Sequence, residues 1–586
     1  MLSSSLRVFF RALGERRREY LLGAAALLVV NACDVSLPLV LKWAIDDIVI
    51  HRGAVPLVLV AGAYLGVVLV LGTFRYYWRK GFIGASHRIG ASLRQRLFEH
   101  CQRLGAGYYA SRRTGDLMSR ATNDLEAVRQ LASQGAVFTL DTALYFMTIP
   151  PLMVWLSPRL SIYTLLPLPL IPLFVYRMGR LIHERFRKVQ DGFGEMSACV
   201  EENMAGIRVV KGFANERRQV ERFETLSRRY VDDNLALARA HDLFQPAISL
   251  VMAVCVGVVI LAGGRAAIRG EISLGDFVAF QHYLLKMSWP MTAVGMTVNL
   301  YQRGLASLGR IQEVLETVPE VRDGPSTVAD ARVERGVVRF RGASVRFEGV
   351  GPGTAPALDG IDLAVEAGRA VAIVGPVGAG KSTLLALVPR ILEPTAGAVE
   401  VDGLDVRRYP LAELRRAIAA VPQETFLFSD TVHENVAFGV PGATREEVRE
   451  ACAKARVLEE VEALPGGFEA RLGERGVNLS GGQRQRLAIA RALLRRPKVL
   501  LLDDCLSSVD VETEAAILER LRAEMHGRTC LVVSHRLTTV KDLDEIVVVD
   551  QGRVVERGRH EDLLARDGLY ADLYRKQQLE LELERV

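Results

Sequence analysis

Residues 375–383 have the composition and spacing of a phosphate-binding loop. They read GPVGAGKST and fit the pattern G-x-x-x-x-G-K-[ST]. Residues 369–374 favour a strand and residues 383–391 favour a helix, which is the context that the motif requires. Glycines allow backbone N–H groups to wrap a phosphate chain, and the helix N-terminus adds positive potential. The predicted phosphate-binding residues are Gly375, Gly378, Gly380, Lys381, Ser382 and Thr383.

A pair of carboxylates could complete a metal site for the same phosphate chain. Residues 499–502 are Val-Leu-Leu-Leu, the pattern of a buried strand, and Asp503 and Asp504 follow directly. We expect Asp503 and the hydroxyl of Ser382 to be Mg²⁺ ligands, and Lys381 to contact the β- and γ-phosphates. The two motifs together predict a site for a magnesium nucleotide.

A third motif lies between these two, at residues 479–483, which read LSGGQ. A serine and two glycines at the start of a helical pattern, here residues 484–494, can bind an anion at the helix N-terminus. The alternative is an ordinary helix cap, with Ser480 as the N-cap residue. The complete string just upstream of the carboxylate-bearing strand favours anion binding. The predicted nucleotide-contacting residues of this motif are Ser480, Gly481, Gly482 and Gln483.

Composition divides the chain into two unlike halves and excludes several classes of protein. The 586 residues, at about 150 residues per domain, predict several domains. All 4 tryptophans lie in the first half. A net charge of +6 is too small to indicate a nucleic-acid-binding protein, so no nucleic-acid partner is expected. The 7 cysteines form no C-x-x-C pair, so neither a zinc site nor a disulfide framework is expected.

Long apolar runs before residue 301 predict a membrane domain with six helices. Most of the runs reach the roughly 20 residues that a bilayer-spanning helix needs. The first run is too long for a cleaved signal peptide and lacks a small-residue cleavage site. The runs are residues 21–45, 56–74, 136–156, 160–176, 244–262 and 277–300.

Charge and periodicity predict how the chain is arranged around the membrane. Arginine and lysine are dense before the first run and in residues 75–135 and 177–243, so the positive-inside rule places these segments in the cytoplasm. Helical periodicity there predicts that the membrane helices continue beyond the bilayer. Short β-branched runs then alternate with helical stretches, which indicates an α/β domain. The predicted organisation is an α-helical transmembrane domain at residues 1–315, a linker at 316–336 and an α/β P-loop nucleotide-binding domain at 337–586.

Several ionisable residues lie within or near the apolar runs. A charge at mid-membrane is costly, so such residues usually face a cavity or a partner. We expect Asp46 and Asp47, near the outer end of the first run, to be structural. For Asp34, Asp141 and Lys286, ion pairing between helices and a place lining a polar pathway are equal alternatives.

These motifs resemble those of the ATP-binding cassette (ABC) superfamily, and the whole chain is similar in layout to a half-size ABC exporter of the type IV fold. The resemblance implies ATP and Mg²⁺ as cofactors. It also implies catalytic roles for Gln423 and His535, at the family's Q-loop and switch positions, with Gln423 as a further Mg²⁺ ligand. Phe347 occupies the position of the aromatic residue that stacks on adenine. Three segments match other family motifs: the D-loop at residues 507–510 and the coupling segments at residues 113–124 and 204–213.

One position departs from the family pattern. In the family, the strand that ends in the metal-binding aspartate, here Asp503, is called the Walker B strand. A glutamate normally follows that aspartate and polarises the attacking water, whereas this chain has Asp504. The aspartate side chain is shorter by one methylene, and catalysis is sensitive to displacements of about 1 Å. The resemblance therefore implies that the catalytic position Asp504 belongs to an impaired site, which binds ATP but hydrolyses it slowly.

The family's signature motif is intact here, as LSGGQ at residues 479–483. An impaired Walker B position in a chain with an intact signature motif resembles one subunit of a bacterial heterodimeric multidrug exporter. The implied function is ATP-driven efflux of small hydrophobic or amphiphilic compounds across the inner membrane. The implied partners are the lipid bilayer and a second half-transporter that carries the Walker B glutamate. A homodimeric lipid or peptide exporter, or flippase, is the alternative. A soluble ABC ATPase acting on nucleic acid is disfavoured by the six predicted spans.

Overall fold

The computed structural model describes residue 9 and residues 13–50, 55–112, 114–166, 169–347, 355–473, 476–505, 523–525 and 527–584. Internal contacts divide the chain into two compact units. The helical unit comprises Met1–Gln102 and Arg113–Thr317, and the α/β unit comprises Arg103–Arg112 and Val318–Val586.

The helical unit contains several helices that are longer than a bilayer is thick, together with short helices between them. The helices up to residue 317 are α1 (Arg17–Ile50), α2 (Leu57–Cys101), α3 (Ala106–Ser111), α4 (Thr114–Ser119), α5 (Leu125–Gln130), α6 (Ala136–Leu156), α7 (Pro158–Leu165), α8 (Leu170–Ala205), α9 (Ile207–Gly212), α10 (Glu216–Asp242), α11 (Phe244–Val258), α12 (Gly264–Ile268), α13 (Leu274–Lys286) and α14 (Ser288–Glu316). Short π-helical segments at Arg120–Asp124, Leu131–Gly135 and Val259–Gly263 join some of them. The 45 residues of α2 span about 68 Å, against about 30 Å for the hydrocarbon core. The predicted continuation of the membrane helices beyond the bilayer is therefore confirmed.

All six predicted apolar runs fall in helices, and two of them are interrupted. The run at 160–176 is divided between α7 and α8, and Pro169 stands immediately before α8. The run at 277–300 is divided at Met287, and Pro290 lies in the first turn of α14. Proline lacks a backbone N–H and fits best in the first turn of a helix, and α8 and α14 each begin beside a proline. Pro38 of α1 and Pro150 of α6, in contrast, lie inside continuous helices. Four continuous stretches in the described part of the chain are long and apolar enough to cross a membrane: Arg17–Val49, Leu57–Cys101, Thr114–Leu156 and Glu216–Ile268.

The C-terminal end of α1 is joined to the start of α13 by Asp46. Its carboxylate accepts hydrogen bonds from Lys42 Nζ at 3.1 Å, from the Ser273 hydroxyl at 2.9 Å and from the Gly275 backbone N–H at 2.9 Å. An anion at a helix N-terminus is favourable because the first N–H groups of a helix have no internal partners. Asp46 therefore has the structural role that the sequence predicts.

A second set of contacts fastens α14 to the π-helical segment Arg120–Asp124. The buried carboxylate of Asp124 accepts hydrogen bonds from the Ser307 hydroxyl and from Arg310 Nε, both at 2.9 Å. Arg120 donates in return to the Arg310 carbonyl at 2.7 Å. One ion pair and the hydrogen bonds around it therefore join this part of the predicted first coupling segment to α14.

Two sheets and a layer of helices form the α/β unit. Its strands are β1 (Val338–Val345), β2 (Leu358–Val365), β3 (Ala370–Val374), β4 (Ala396–Val401), β5 (Leu404–Asp405), β6 (Ile418–Val421), β7 (Val499–Asp503), β8 (Thr529–Val533), β9 (Glu545–Asp550) and β10 (Arg553–Gly558). Its helices after residue 317 are α15 (Lys381–Leu387), α16 (Leu411–Ala417), α17 (Val432–Ala437), α18 (Arg445–Lys454), α19 (Leu458–Ala463), α20 (Gly481–Leu494), α21 (Leu537–Val540), α22 (His560–Ala565) and α23 (Leu569–Glu584). The antiparallel sheet has the order β2-β1-β4-β5, and the second sheet has the order β10-β9-β3-β8-β7-β6.

The second sheet is buried on both faces. Alternate residues of β3 illustrate this, because Val371 and Ile373 pack in the core shared with the antiparallel sheet. Ala372 and Val374 pack instead in the core shared with the helices. Successive side chains of a strand point to opposite faces, so a strand covered on both sides is a continuous apolar run. The pattern Val-Leu-Leu-Leu that precedes Asp503 has the same cause.

Candidate nucleotide-binding site

The carboxyl ends of three neighbouring strands bring the predicted site residues together. Strands β3, β8 and β7 lie side by side and are parallel, with Ile373, Val533 and Asp503 in one row of the sheet. The predicted site residues lie directly beyond this row, in the loop after β3, at the end of β7 and in the turn after β8. In open α/β sheets, ligands bind beyond the carboxyl ends of the strands.

Two glycines of the loop occupy positions that no other residue could fill. Gly375 and Gly380 have φ angles of +148° and +99°. A Cβ atom at Gly375 would lie 2.0 Å from the carbonyl oxygen of Val549, and one at Gly380 would lie 2.4 Å from that of Ala357. Glycine is therefore required at both positions by the backbone angle and by the space. Gly378, with a φ angle of +82°, has no such neighbour and lies on the open side of the loop.

Lys381 begins α15 and is held against the inside of the loop. Its side chain is buried, and its Nζ donates hydrogen bonds at 2.8 Å to the carbonyl oxygens of both Gly375 and Pro376. Burial lowers the pKa of the Lys381 ammonium, and the negative charges of Asp504 and Asp503 oppose this effect. A lysine in this position supplies a positive charge to the concave side of the loop.

Asp503 has the properties expected of a metal ligand. Its Oδ1 atom is buried and has no hydrogen-bond partner in the part of the chain that the structure describes. Burial raises the pKa of the carboxyl and Asp504 adds to the effect, whereas Ser382, Lys381 and His535 lower it. A buried carboxylate oxygen without a donor, with a serine hydroxyl beside it, fits the oxygen ligands that Mg²⁺ takes. The residues present therefore fit a magnesium ion.

Asp504 is buried beside the turn after β8. The residue is buried and has a φ angle of +45°, a left-handed conformation that aspartate tolerates better than most residues. Its Oδ1 accepts a hydrogen bond from the backbone N–H of His535 at 3.3 Å. Its own N–H donates to the Val533 carbonyl at 2.9 Å. The carboxylate thus contacts the turn after β8.

The backbone around His535 is also hydrogen-bonded by the side chain of Gln577, a residue of α23. The Gln577 side-chain amide donates to the carbonyl of His535, and its oxygen accepts from the N–H of Leu537 at 2.8 Å. Sequence reasoning missed this residue because it belongs to no motif and lies 42 positions from His535. A signal was present, since Gln577 continues the helical face of Tyr570 and Tyr574, and a polar residue on a packed face needs a partner.

Other predicted site residues lie around this edge. Gln423 is exposed and follows β6, the neighbour of β7. Phe347 follows β1 and its side chain is 48% exposed, so the ring is accessible for stacking. Thr383 lies in the first turn of α15. The predicted D-loop residues 507–510 and Arg113 of the first coupling segment lie outside the described residues.

The motif at 480–483 begins α20 and forms a capping box. The Ser480 hydroxyl accepts a hydrogen bond from the Gln483 N–H at 3.2 Å, and the Gln483 side chain accepts one from the Ser480 N–H at 2.9 Å. The helix-cap alternative is therefore present in the structure. A cap orders the helix N-terminus and leaves other N–H groups of the first turn available to a ligand. Ser480 is exposed, so a ligand could approach this end of α20.

Comparison with known proteins agrees with the geometry of both units. The family model for the ABC transporter transmembrane region matches residues 20–291, and the ABC transporter model matches residues 358–507. The chain is 36% identical to YheI of Bacillus subtilis, named as a probable multidrug resistance ABC transporter ATP-binding/permease protein, over 97% of both chains. The chain belongs to the ABC transporter family.

Further relatives of this ABC transporter chain are named for different transport functions. It is 34% identical to the multidrug resistance-like ATP-binding protein MdlA of Escherichia coli, over 99% of this chain and 98% of the relative. It is 32% identical to an ATP-dependent lipid A-core flippase of Nitrosococcus oceani, over 98% of this chain and 96% of the relative. Among solved structures, a bacterial Atm1-family ABC exporter with ATP bound superposes with a TM-score of 0.79, at 29% identity, covering 96% of this chain and 98% of that one.

These findings establish the architecture that the sequence predicts. An α-helical membrane domain is followed by an α/β ABC ATPase domain, in the arrangement of a half-size ABC exporter. The protein is a membrane transporter of the exporter type whose ATPase domain binds ATP.

Proposed function

We propose that this chain is one subunit of a heterodimeric, ATP-driven exporter of hydrophobic or amphiphilic compounds. It lies in the bacterial inner membrane, with the N-terminus and the ATPase domain in the cytoplasm. Its own nucleotide site binds ATP with Mg²⁺ and hydrolyses it slowly. Closure of two ATPase domains around ATP converts the membrane domain from inward-facing to outward-facing, because ATP favours the closed state.

The observation that carries this proposal is the position of Asp504. A base that activates water must lie within hydrogen-bonding reach of it. The Asp504 carboxylate is buried and contacts the His535 backbone N–H at 3.3 Å, and it is one methylene shorter than the family's glutamate. The geometry supports nucleotide binding by Lys381 and the glycine loop more strongly than it supports hydrolysis.

Residues of the same site fit the cofactors. Lys381 would contact the β- and γ-phosphates, and Phe347 would stack on the adenine. Asp503, with Ser382 and Gln423, would hold Mg²⁺, which neutralises phosphate charge when bound. The orphaned Oδ1 of Asp503 supports this assignment.

The intact signature motif that begins at Ser480 supports a partner subunit whose own nucleotide site can hydrolyse ATP. In this family the sandwiched ATP contacts the Walker motifs of one subunit and the signature motif of the other. The capping box of α20 keeps the N–H groups of Gly481 and Gly482 ordered at an exposed end. This chain therefore offers a good signature motif to a second half-transporter that carries the Walker B glutamate.

The similarity to proteins named as lipid A-core flippases favours a second candidate, a homodimeric lipid exporter. Such an exporter would contain two copies of this chain and two copies of Asp504. Both sites would then be slow, and the partner subunit would be absent.

Isolation from the native membrane separates the two candidates. An affinity-tagged copy of the chain, expressed from its own promoter, is purified in mild detergent and the associated chains are identified by mass spectrometry. We expect a second half-transporter in equal amount, with glutamate after its Walker B aspartate. Recovery of this chain alone, with robust substrate-stimulated ATPase activity, would refute the heterodimer.

A further inference from the structure

Among the carboxylates of the described membrane helices, Asp34 has its charge balanced by a lysine of a neighbouring helix. Asp34 of α1 is 7% exposed. Its Oδ2 accepts hydrogen bonds from Lys286 Nζ at 2.8 Å and from the Tyr145 hydroxyl at 2.6 Å. Asp34 and Lys286 thus form the interhelical ion pair that the sequence leaves open as one alternative. These two groups join α1 to α13 and leave no net charge.

A second carboxylate, Asp141, lies one helical turn before Tyr145 and has no such partner. It is the sixth residue of α6 and remains partly exposed. The Trp289 indole lies within hydrogen-bonding reach of it. Arg75 of α2 is close enough to influence its charge, but no lysine, arginine or histidine in the described residues forms an ion pair with it.

An unpaired carboxylate in an apolar helix must face something other than lipid. Ionisable residues in membrane segments face a water-filled cavity or a binding partner, because exposure of the charge to hydrocarbon is unfavourable. Asp34 shows how this chain neutralises a carboxylate when the role is structural, since it places a lysine within 2.8 Å. Asp141 is partly exposed and lacks that lysine, so its carboxylate is open to a positively charged group of a ligand.

Two aromatic rings stand beside Asp141. Phe138 precedes it by one helical turn and therefore shares its face of α6. The rings of Phe138 and Trp289 meet edge to face, with centroids 5.6 Å apart and planes at 87°. Trp289 is 47% exposed, so part of its ring is available to a ligand. Aromatic faces attract cations electrostatically and also bind apolar groups.

A carboxylate beside two aromatic rings selects one chemical class of ligand. A cation gains attraction from the carboxylate and from the ring faces, and its apolar body packs on the rings. An anion would be repelled, and a neutral molecule would leave the carboxylate without a counter-charge. We propose that Asp141, Phe138 and Trp289 form a binding point for the cationic group of amphiphilic substrates. This inference rests on the proposed export function and narrows its substrate class.

Two ions of equal shape and opposite charge test the proposal. Binding of radiolabelled tetraphenylphosphonium to the complex purified in detergent is measured without nucleotide, with tetraphenylborate as competitor. We expect saturable phosphonium binding that tetraphenylborate does not displace. Asp141→Asn should weaken binding at least tenfold, whereas Asp141→Glu, which keeps the charge, should remain within about threefold of wild type.

Two further variants separate recognition from folding. Trp289→Phe should retain most of the binding and Trp289→Ala should lose it, because only the ring is required. The double variant Asp34→Asn/Lys286→Gln removes the balanced pair and should leave phosphonium binding within about threefold of wild type. ATP binding measured on the same samples should be unchanged in all variants.

The outcomes distinguish this inference from the export function. Wild-type binding in the Asp141→Asn variant would overturn the cation site while ATP-driven export stands. Equal binding of the two ions would overturn it in the same way, since apolar contact alone would explain the affinity. A wild-type complex that neither binds ATP nor shows substrate-stimulated hydrolysis would instead contradict the proposed function.

Discussion

Replacing Gln577 by leucine should weaken the preference of this site for ATP over ADP and leave the domain folded. Leucine keeps the apolar contacts of α23 but makes neither hydrogen bond to the backbone at His535 and Leu537. The resemblance to the family implies that His535, at the switch position, contacts the γ-phosphate. Freeing its backbone should therefore affect ATP, which has that phosphate, and not ADP.

The magnitude follows from the two hydrogen bonds that are lost. Each contributes about 1 kcal/mol to the held conformation, so the pair contributes about 2 kcal/mol. A free-energy difference of about 1.4 kcal/mol is a factor of ten. The variant should therefore bind a non-hydrolysable ATP analogue more weakly than wild type, by about 5-fold to 30-fold, because the competent conformation is populated less.

The assay is displacement of a fluorescent nucleotide from the full-length protein in detergent, with Mg²⁺ present. Gln578→Leu is the matched control, because it changes the same residue type at the next position of α23, and Gln578 has no hydrogen bond within the described part of the chain. Affinity for ADP and the melting temperature should be equal in all three proteins. An unchanged ratio of ATP to ADP affinity in Gln577→Leu, or an equal loss in Gln578→Leu, would refute the reasoning.

Other substitutions test the remaining parts of the account. Ser480→Arg should reduce ATPase activity of the assembled complex more than tenfold, because the side chain blocks the ordered start of α20; near-wild-type turnover at saturating Mg-ATP would contradict a role for this motif. Gly380→Ala should abolish ATP binding, since its Cβ would lie 2.4 Å from a carbonyl oxygen, and equilibrium nucleotide binding measures this. In a chain stripped of reactive thiols, a cysteine at Arg269 should react with an impermeant maleimide on intact cells and a cysteine at Arg113 should not; the reverse pattern would reject the topology.

The sequence predicts the nucleotide site well because its residues follow strands. A glycine loop after β3 and two carboxylates at the end of β7 must meet when those strands are neighbours in a parallel sheet. Long apolar runs predict the membrane helices for an equally simple reason, the thickness of the bilayer. The architecture of both units could therefore be predicted before the structure was known.

Contacts between distant segments were beyond prediction from the sequence. Nothing in the order of residues shows that Lys286 is paired with Asp34 while Asp141 is not, because helix rotation and packing decide which side chains meet. The helical face of α23 indicates that Gln577 needs a partner, but nothing in the sequence shows that this partner is the backbone of the turn at His535. The interruption at Met287 likewise arises from the local effect of Pro290 within an apolar run that reads as continuous.

Hydrolysis by Asp504 variants tests the central claim, that this chain's own site binds ATP but hydrolyses it slowly. Steady-state ATPase rates are measured at saturating Mg-ATP for the purified chain and for Asp504→Glu and Asp504→Asn. Restoring the methylene should raise the rate about tenfold to a hundredfold, since a misplacement of about 1 Å costs up to about a hundredfold. Asp504→Asn should remain close to the low wild-type rate. Rapid hydrolysis by wild type that Asp504→Asn abolishes, with no gain in Asp504→Glu, would show that Asp504 is a working base and contradict the account.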